Sequence, residues 1–276
     1  NFWNSGRPTS YHQTVSLNYQ VPLNKLPIFN FMSLSTRYNG NYNWNAAPLS
    51  LENLGNTIQN SQSRQYNGQI NLTTLYNKVP YFKKLNKGNS NRGRPTRNRV
   101  KEENEQEKQD RFEFFKHMTR FALGVKNISI SYSENRGTLL PGFVPQPSFL
   151  GQQWSSMAPS IPFVLGSQRE IRNTAASNGW ITQDSSLNTQ FKQNSSTNLT
   201  LRSTVEPIKQ FRIELNASKN TSSNNQEYFR WDNIQNGFNS FSPTETGSYS
   251  ISFISFPTAF VGNNDDYSSA TFAKFR

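Results

Sequence analysis

The stretch Asn194–Ser218, NSSTNLTLRSTVEPIKQFRIELNAS, constrains the fold more than any other. Thr197, Leu199, Leu201, Ser203 and Val205 alternate with Asn198, Thr200, Arg202 and Thr204. After a break at 206–210, Phe211, Ile213, Leu215 and Ala217 alternate with Arg212, Glu214, Asn216 and Ser218. A period of two marks strands, and the short break between them marks a hairpin. Each arm is about 9–11 residues long, the length a tilted strand needs to cross a bilayer core. Arg202, Arg212 and Glu214 all share the wet face. Lipid strongly disfavours charge on the face it touches, whereas water at both faces imposes no such segregation.

Only 33% of the 276 residues are hydrophobic and the mean hydropathy is -0.78, yet 13% are aromatic. Low hydropathy alone argues disorder. Regular alternation with abundant aromatics argues a sheet whose second face is wet, as in a barrel with an aqueous lumen. No apolar run reaches the roughly 18 residues of a membrane helix. There is no cysteine, which excludes disulfides and thiolate metal sites. His12 and His117 lie far apart, so no metal pair is expected. No catalytic, cofactor-binding or metal-ligating residue is assigned. His12 and Ser16 on one wet face lack the converging third group that nucleophilic catalysis requires. The chain is expected not to be an enzyme.

Six further segments extend the pattern. Tyr11, Val15, Leu17, Tyr19 and Val21 share a face with Gln13. Over 31–44, Met32, Leu34, Thr36, Tyr38, Gly40, Tyr42 and Trp44 oppose Arg37, Asn39 and Asn41. Residues 45–63 read as a polar loop. A third strand over 64–76 sends Tyr66, Ile70, Leu72, Thr74 and Tyr76 outward. Lys126–Ser133 sets Ile128, Ile130 and Tyr132 against Asn127, Ser129 and Ser131. Glu227–Asn233 is a short strand, and a last one carries Tyr249, Ile251 and Phe253. The expected fold is therefore all-β: an antiparallel transmembrane barrel segment of about eight strands from a larger barrel. Its outward, lipid-facing set is Tyr11, Val15, Leu17, Tyr19, Leu34, Tyr42, Trp44, Ile70, Leu72, Ile128, Ile130, Leu199, Leu201, Val205, Phe211, Ile213, Leu215, Ile251 and Phe253. The lumen-facing set is Arg37, Asn39, Asn41, Asn198, Thr200, Arg202, Arg212 and Glu214.

Two insertions interrupt the strands. Residues 83–124 combine a basic loop, Lys83 to Lys101, with an amphipathic helix in which Phe114, Met118 and Phe121 recur at helical spacing. This loop carries much of the net charge of +12. Its Gly-, Asn- and Pro-rich composition lacks the stacking aromatics of a nucleic-acid platform, so no nucleic acid is expected as partner. Residues 134–187 are Pro- and Gly-rich without sustained period. They read as an extracellular or lumenal loop that folds over the barrel, with Leu140, Pro141, Gly142 and Phe143 as a structural turn within it.

Particular stretches carry a resemblance: GRPTSYHQ, VPLNKLPIF, YNGNYNW, LGNTIQN, LYNKVPYFKKLN, ISISYSENRGTLLPGF, FVLGSQREIR, VEPIKQFRIELNAS, ETGSYSISF and PTAF. Together they resemble the SprA/Sov family, the giant outer-membrane translocon of type IX secretion and gliding motility, of which this chain would be an internal piece. The resemblance implies an outer-membrane channel that passes folded cargo proteins carrying C-terminal sorting domains to the cell surface. It implies a smaller outer-membrane barrel subunit and a periplasmic plug protein as partners, with outer-membrane lipid around them. A nutrient porin or plugged receptor barrel shares the alternation and is the alternative; a soluble β-sandwich and an outer-membrane hydrolase account for less of it.

Overall fold

The computed structural model describes residues 6–80, 123–208 and 210–252. Seven strands form one antiparallel sheet in chain order: β1 Ser10–Val21, β2 Met32–Asn45, β3 Asn56–Asn71, β4 Val125–Phe143, β5 Phe191–Ile208, β6 Phe211–Asp232 and β7 Gly237–Ile251. Each strand pairs with its sequence neighbours, so the sheet is an open meander whose edges are β1 and β7. Helices are short. α1 (Leu72–Lys78) follows β3, and α2 (Ile161–Val164) and α3 (Arg172–Ser177) lie between β4 and β5. No helix among the described residues is long and apolar enough to cross a membrane.

The β5–β6 hairpin follows its alternation. Leu201 stands opposite Ala217, Ser203 opposite Leu215 and Val205 opposite Ile213, and Ile208 pairs with Phe211 beside a turn at Gln210. Elsewhere the strands are longer than the apolar period. β3 begins at Asn56, inside the expected loop, and ends at Asn71. The Asn71 side chain then accepts from the Thr74 amide at 3.1 Å and starts α1. Leu72, expected on an outward strand face, is therefore helical.

β4 continues ten residues past Ser133, so Leu140, Pro141, Gly142 and Phe143 belong to its end rather than to a loop. A bulge makes room for them: Thr57 pairs with Pro141 and Asn56 with Phe143, leaving Gly142 as the extra residue at φ 78°. Proline is tolerated at such a bulge, where the ladder is already interrupted.

β6 absorbs the expected short strand over 227–233, because Ser218–Gln226 is polar on both faces yet stays extended. Its partner β7 runs through Pro243. The register slips between Gln226 and Tyr228, and Ser242 adopts φ 49° there. The described strands thus number seven rather than about eight. Phe253, the basic run Lys83–Lys101 and nearly all of the expected 100–123 helix lie outside the described residues.

Residues 144–190, expected as part of a long loop without sustained period, carry short helices and bridges of their own. They fold back as a cap on one face of the sheet. Phe143 bridges to Ile181, the Val144 amide donates to Trp180 O at 2.8 Å, and the Thr182 amide donates to Gly142 O at 2.8 Å. Beneath the cap lies one hydrophobic core. The sheet gives Tyr42, Trp44, Ile58, Leu140, Phe143, Phe191 and Phe229, and the cap gives Phe163, Val164, Ile171, Ala175, Trp180 and Ile181.

Candidate functional site: a two-faced sheet under a cap

Residues in antiparallel register put their side chains on the same face, so the pairing assigns every strand position to one face. On one face, Met32, Ile70, Ile128, Ser203 and Leu215 form a row. Leu34, Gly68, Ile130, Leu201 and Ala217 form the next. Above them come Tyr19, Thr36, Tyr66, Tyr132, Leu199, Lys219 and Ile251. The Tyr66 and Tyr132 rings lie 6.1 Å apart.

This band is open. Leu17, Tyr19, Tyr66, Ile130, Leu199, Leu201, Phe211, Leu215, Tyr249 and Ile251 are all exposed large hydrophobics, Leu17 by 62% and Leu215 by 51%. Val15, Leu34, Ile70, Ile128 and Ile213 are half-buried among them. From Phe211 to Lys219 the band runs about 27 Å along the strand, or about 20 Å tall at ordinary tilt.

Three of the expected outward residues are instead covered by protein. Tyr42 is 0% and Trp44 1% exposed, because the cap lies over them. Trp44 Nε1 donates to Pro145 O at 3.1 Å, and the Tyr42 ring meets Phe163 edge-on at 6.1 Å. Tyr11, half-buried, packs on Tyr42. Val205 is buried in the row it shares with Val125 and Ile213.

The opposite face is polar throughout its middle. Asn18, Arg37, Gln65, Ser133, Asn198, Asn220 and Ser250 make one row. The next is Ser16, Asn39, Ser63, Asn135, Ser196, Ser222 and Ser248. A third contains Thr14, Asn41, Ser61, Gly137, Asn194, Asn224 and Thr246. Arg37 is the one charge in the three rows.

Side chains on this face bond to one another across strands. Thr14 Oγ1 donates to Asn41 Oδ1 at 2.9 Å, Arg37 Nε to Asn18 Oδ1 at 2.7 Å, and Ser131 Oγ to Asn67 Oδ1 at 2.8 Å. His12 pairs with Asn43 and with Thr14, not with Ser16. A hollow of about 840 Å³ opens among Gln69, Asn127, Ser129, Thr200, Arg202, Thr204, Glu214, Asn216 and Ser252. The expected wet residues Asn198, Thr200, Arg202, Arg212 and Glu214 all lie on this face, and Arg212 pairs with Glu214 at 2.9 Å.

The cap is fastened by polar groups that the alternation did not flag. Asn60, 0% exposed, donates from Nδ2 to Phe163 O at 2.9 Å and Ser167 O at 2.8 Å. Its Oδ1 accepts from Gln168 Nε2 at 2.9 Å, and Thr138 Oγ1 donates to Gln168 Oε1 at 2.9 Å. Tyr38 Oη donates to Leu165 O at 2.5 Å. Gly40 lies directly beneath; a Cβ there would collide with that same carbonyl.

At the β6 side, the Arg172 guanidinium stacks 4.5 Å from the Phe191 ring and pairs with Glu227 and, at 2.7 Å, with Glu170. Burial pushes the Glu170 carboxyl up. The hydrogen bonds and charge of Arg172, with the Ile171 amide, outweigh it and hold the group below the usual carboxylate range. Asp184 is also held low, first by the Ser186 amide and then by Asn53 Nδ2, which donates at 2.6 Å.

Among the described residues there is no cluster of three His, Asp or Glu able to hold a metal ion. Neither the family models nor the curated proteins contain a match to this chain.

Proposed function

We propose that the chain is part of the wall of an outer-membrane β-barrel and that the barrel is a protein-conducting channel of type IX secretion. In this reading the open apolar band faces lipid and the Asn/Ser/Thr face lines an aqueous conduit for folded cargo. The observation that carries it is the sharp division of one sheet. An exposed apolar band with a tyrosine row at its margin lies on one side, and three nearly uncharged polar rows lie on the other. A water-soluble sheet rarely leaves a contiguous apolar surface of this extent open.

Type IX secretion enters through the resemblance to the SprA/Sov family, and the chemistry of the polar face agrees with it. Amides and hydroxyls exchange hydrogen bonds freely with water, so a passing folded protein finds no apolar patch or dense charge to hold it. An ordinary nutrient porin needs no wall so uniformly unadhesive. A conduit wide enough for folded cargo needs many more strands than seven, because about eight close on their own side chains. The smaller barrel subunit, the periplasmic plug and sorting-domain cargo are the partners of this reading, and the outer membrane is its location.

The chain lacks cysteine, so single cysteines report each face. In the reconstituted protein, a fluorophore at Leu201→Cys is expected to be quenched by spin-labelled lipid. Asn198→Cys is expected to react with a membrane-impermeant thiol reagent. Equal behaviour at both positions overturns the wall. In cells, deleting the segment is expected to leave sorting-domain cargo in the periplasm, and undiminished secretion overturns the translocon.

A further inference from the structure

Directly above the tyrosine row, three arginines gather on the outward face. Arg64 stands one residue pair above Tyr66 in β3, Arg136 lies two pairs above Tyr132 in β4, and Arg169 comes from the cap. Together with Tyr38, Gln62 and Leu165 they line a hollow of about 480 Å³ between the sheet and the cap. Among the described residues, Glu134 is the one carboxylate joined to them, at 2.5 Å from Arg136 and 3.9 Å from Arg64. Glu170, next to Arg169, is held by Arg172. Arg169 forms no ion pair among the described residues. Three guanidiniums against one carboxylate leave an excess of two positive charges in the hollow.

The site is built rather than scattered. With its amide oxygen toward Arg64, Gln62 accepts from Nε at 3.2 Å and from Nη2 at 3.0 Å, which fixes that guanidinium. The strap carrying Arg169 is held by buried Asn60 through the Phe163 and Ser167 carbonyls. Planar forks fixed in this way suit phosphate oxygens, which they engage in pairs.

Resting on the membrane-wall reading above, we infer that this hollow binds the phosphorylated headgroup of a bilayer lipid. The apolar surface below it argues for lipid over a soluble anion. Tyr66 is exposed one row beneath Arg64 and Ile130 one row further down, where acyl chains of a lipid held at the hollow would lie. A free phosphate would use the arginines and leave that surface unoccupied.

The test uses the full chain in vesicles of phosphatidylcholine alone or with phosphatidylglycerol, followed by detergent extraction and quantification of retained lipid. Wild type is expected to retain phosphatidylglycerol preferentially, and Arg169→Gln to lower that retention about fivefold. Arg212→Gln removes the same charge from the polar face and is expected to leave retention unchanged. Equal loss in both variants, or no preference in wild type, overturns the inference. Displacement of the retained lipid by millimolar inorganic phosphate alone also overturns it, since the occupant is then the free anion. If the chain inserts equally into both vesicles without preference, only the headgroup site fails. If it inserts into neither, the membrane-wall reading fails and the site falls with it.

Discussion

At Thr200 and Leu201, neighbouring residues on opposite faces, the same substitution has opposite expected outcomes. Leu201 is 41% exposed within the apolar band, and Thr200 lines the polar hollow. On the membrane-wall reading, Arg in place of Leu201 or Leu215 puts a charge into hydrocarbon and is expected to cost assembly about 2–4 kcal/mol near midplane. Thr200→Arg places it in water and is expected to be tolerated. Folding yield into vesicles, read by heat-modifiable gel migration, checks both; a harmless Leu201→Arg would mean that the band is wet. Asn60 poses a different residue-scale question. Its side chain satisfies two buried carbonyls and one amide. Asn60→Leu would strand these partners at about 1–3 kcal/mol for each buried group left unpaired. Faster hydrogen exchange over 163–168 is the expected readout.

The cap is the element most open to such tests. Gly40 meets the Leu165 carbonyl so closely that no side chain fits between them. Gly40→Val is therefore expected to lift the strap and expose 160–170 to protease while the β5–β6 hairpin stays protected. Acid should act in the same direction. Glu170 and Asp184 sit below their unfolded values, so the stability they contribute is present above the ordinary carboxylate range. It is lost as pH falls through their lowered folded values. Protease sensitivity of the cap is expected to rise over that acid window and not between neutral and weakly alkaline pH. This element also marks where the sequence stops being readable. The β5–β6 hairpin was legible because its alternating residues face open space on one side and polar neighbours on the other. The first half of β3 and the second half of β4 were not. Their cap-side residues Asn60, Gln62, Arg136 and Thr138 are polar because they bond the cap or line its margin, so the period of two disappears from hydrophobicity. Parity puts Tyr42 and Trp44 on the face they share with Leu34, but it does not report that a segment more than 100 residues away covers them. The bulges at Gly142 and Pro243 likewise disguised continuous strands as turns.

For the whole molecule, the open edges set the next expectation. β1 and β7 each carry a row of backbone groups without a neighbouring strand among the described residues. In hydrocarbon each unpaired group costs several kcal/mol, so further strands must continue the wall on both sides in the membrane reading. The reconstituted full protein is then expected to show single-channel conductance well above that of a porin, reduced by a separate plug protein. Porin-like conductance would favour the nutrient-channel alternative. The all-antiparallel sheet itself was readable from the chain; closure into a barrel is not, since in the membrane reading it would depend on strands beyond these edges.

Because the cap occupies one end of a sheet face and the greasy band the other, the sheet is lopsided along its strands. In the membrane reading, sliding the sheet along its strands until the cap entered the bilayer would drive Asn60, Glu134 and three guanidiniums into oil and lift Leu215 into water. On that reading the depth of the sheet is pinned rather than free to drift, and the capped end is the one that has to stay in water.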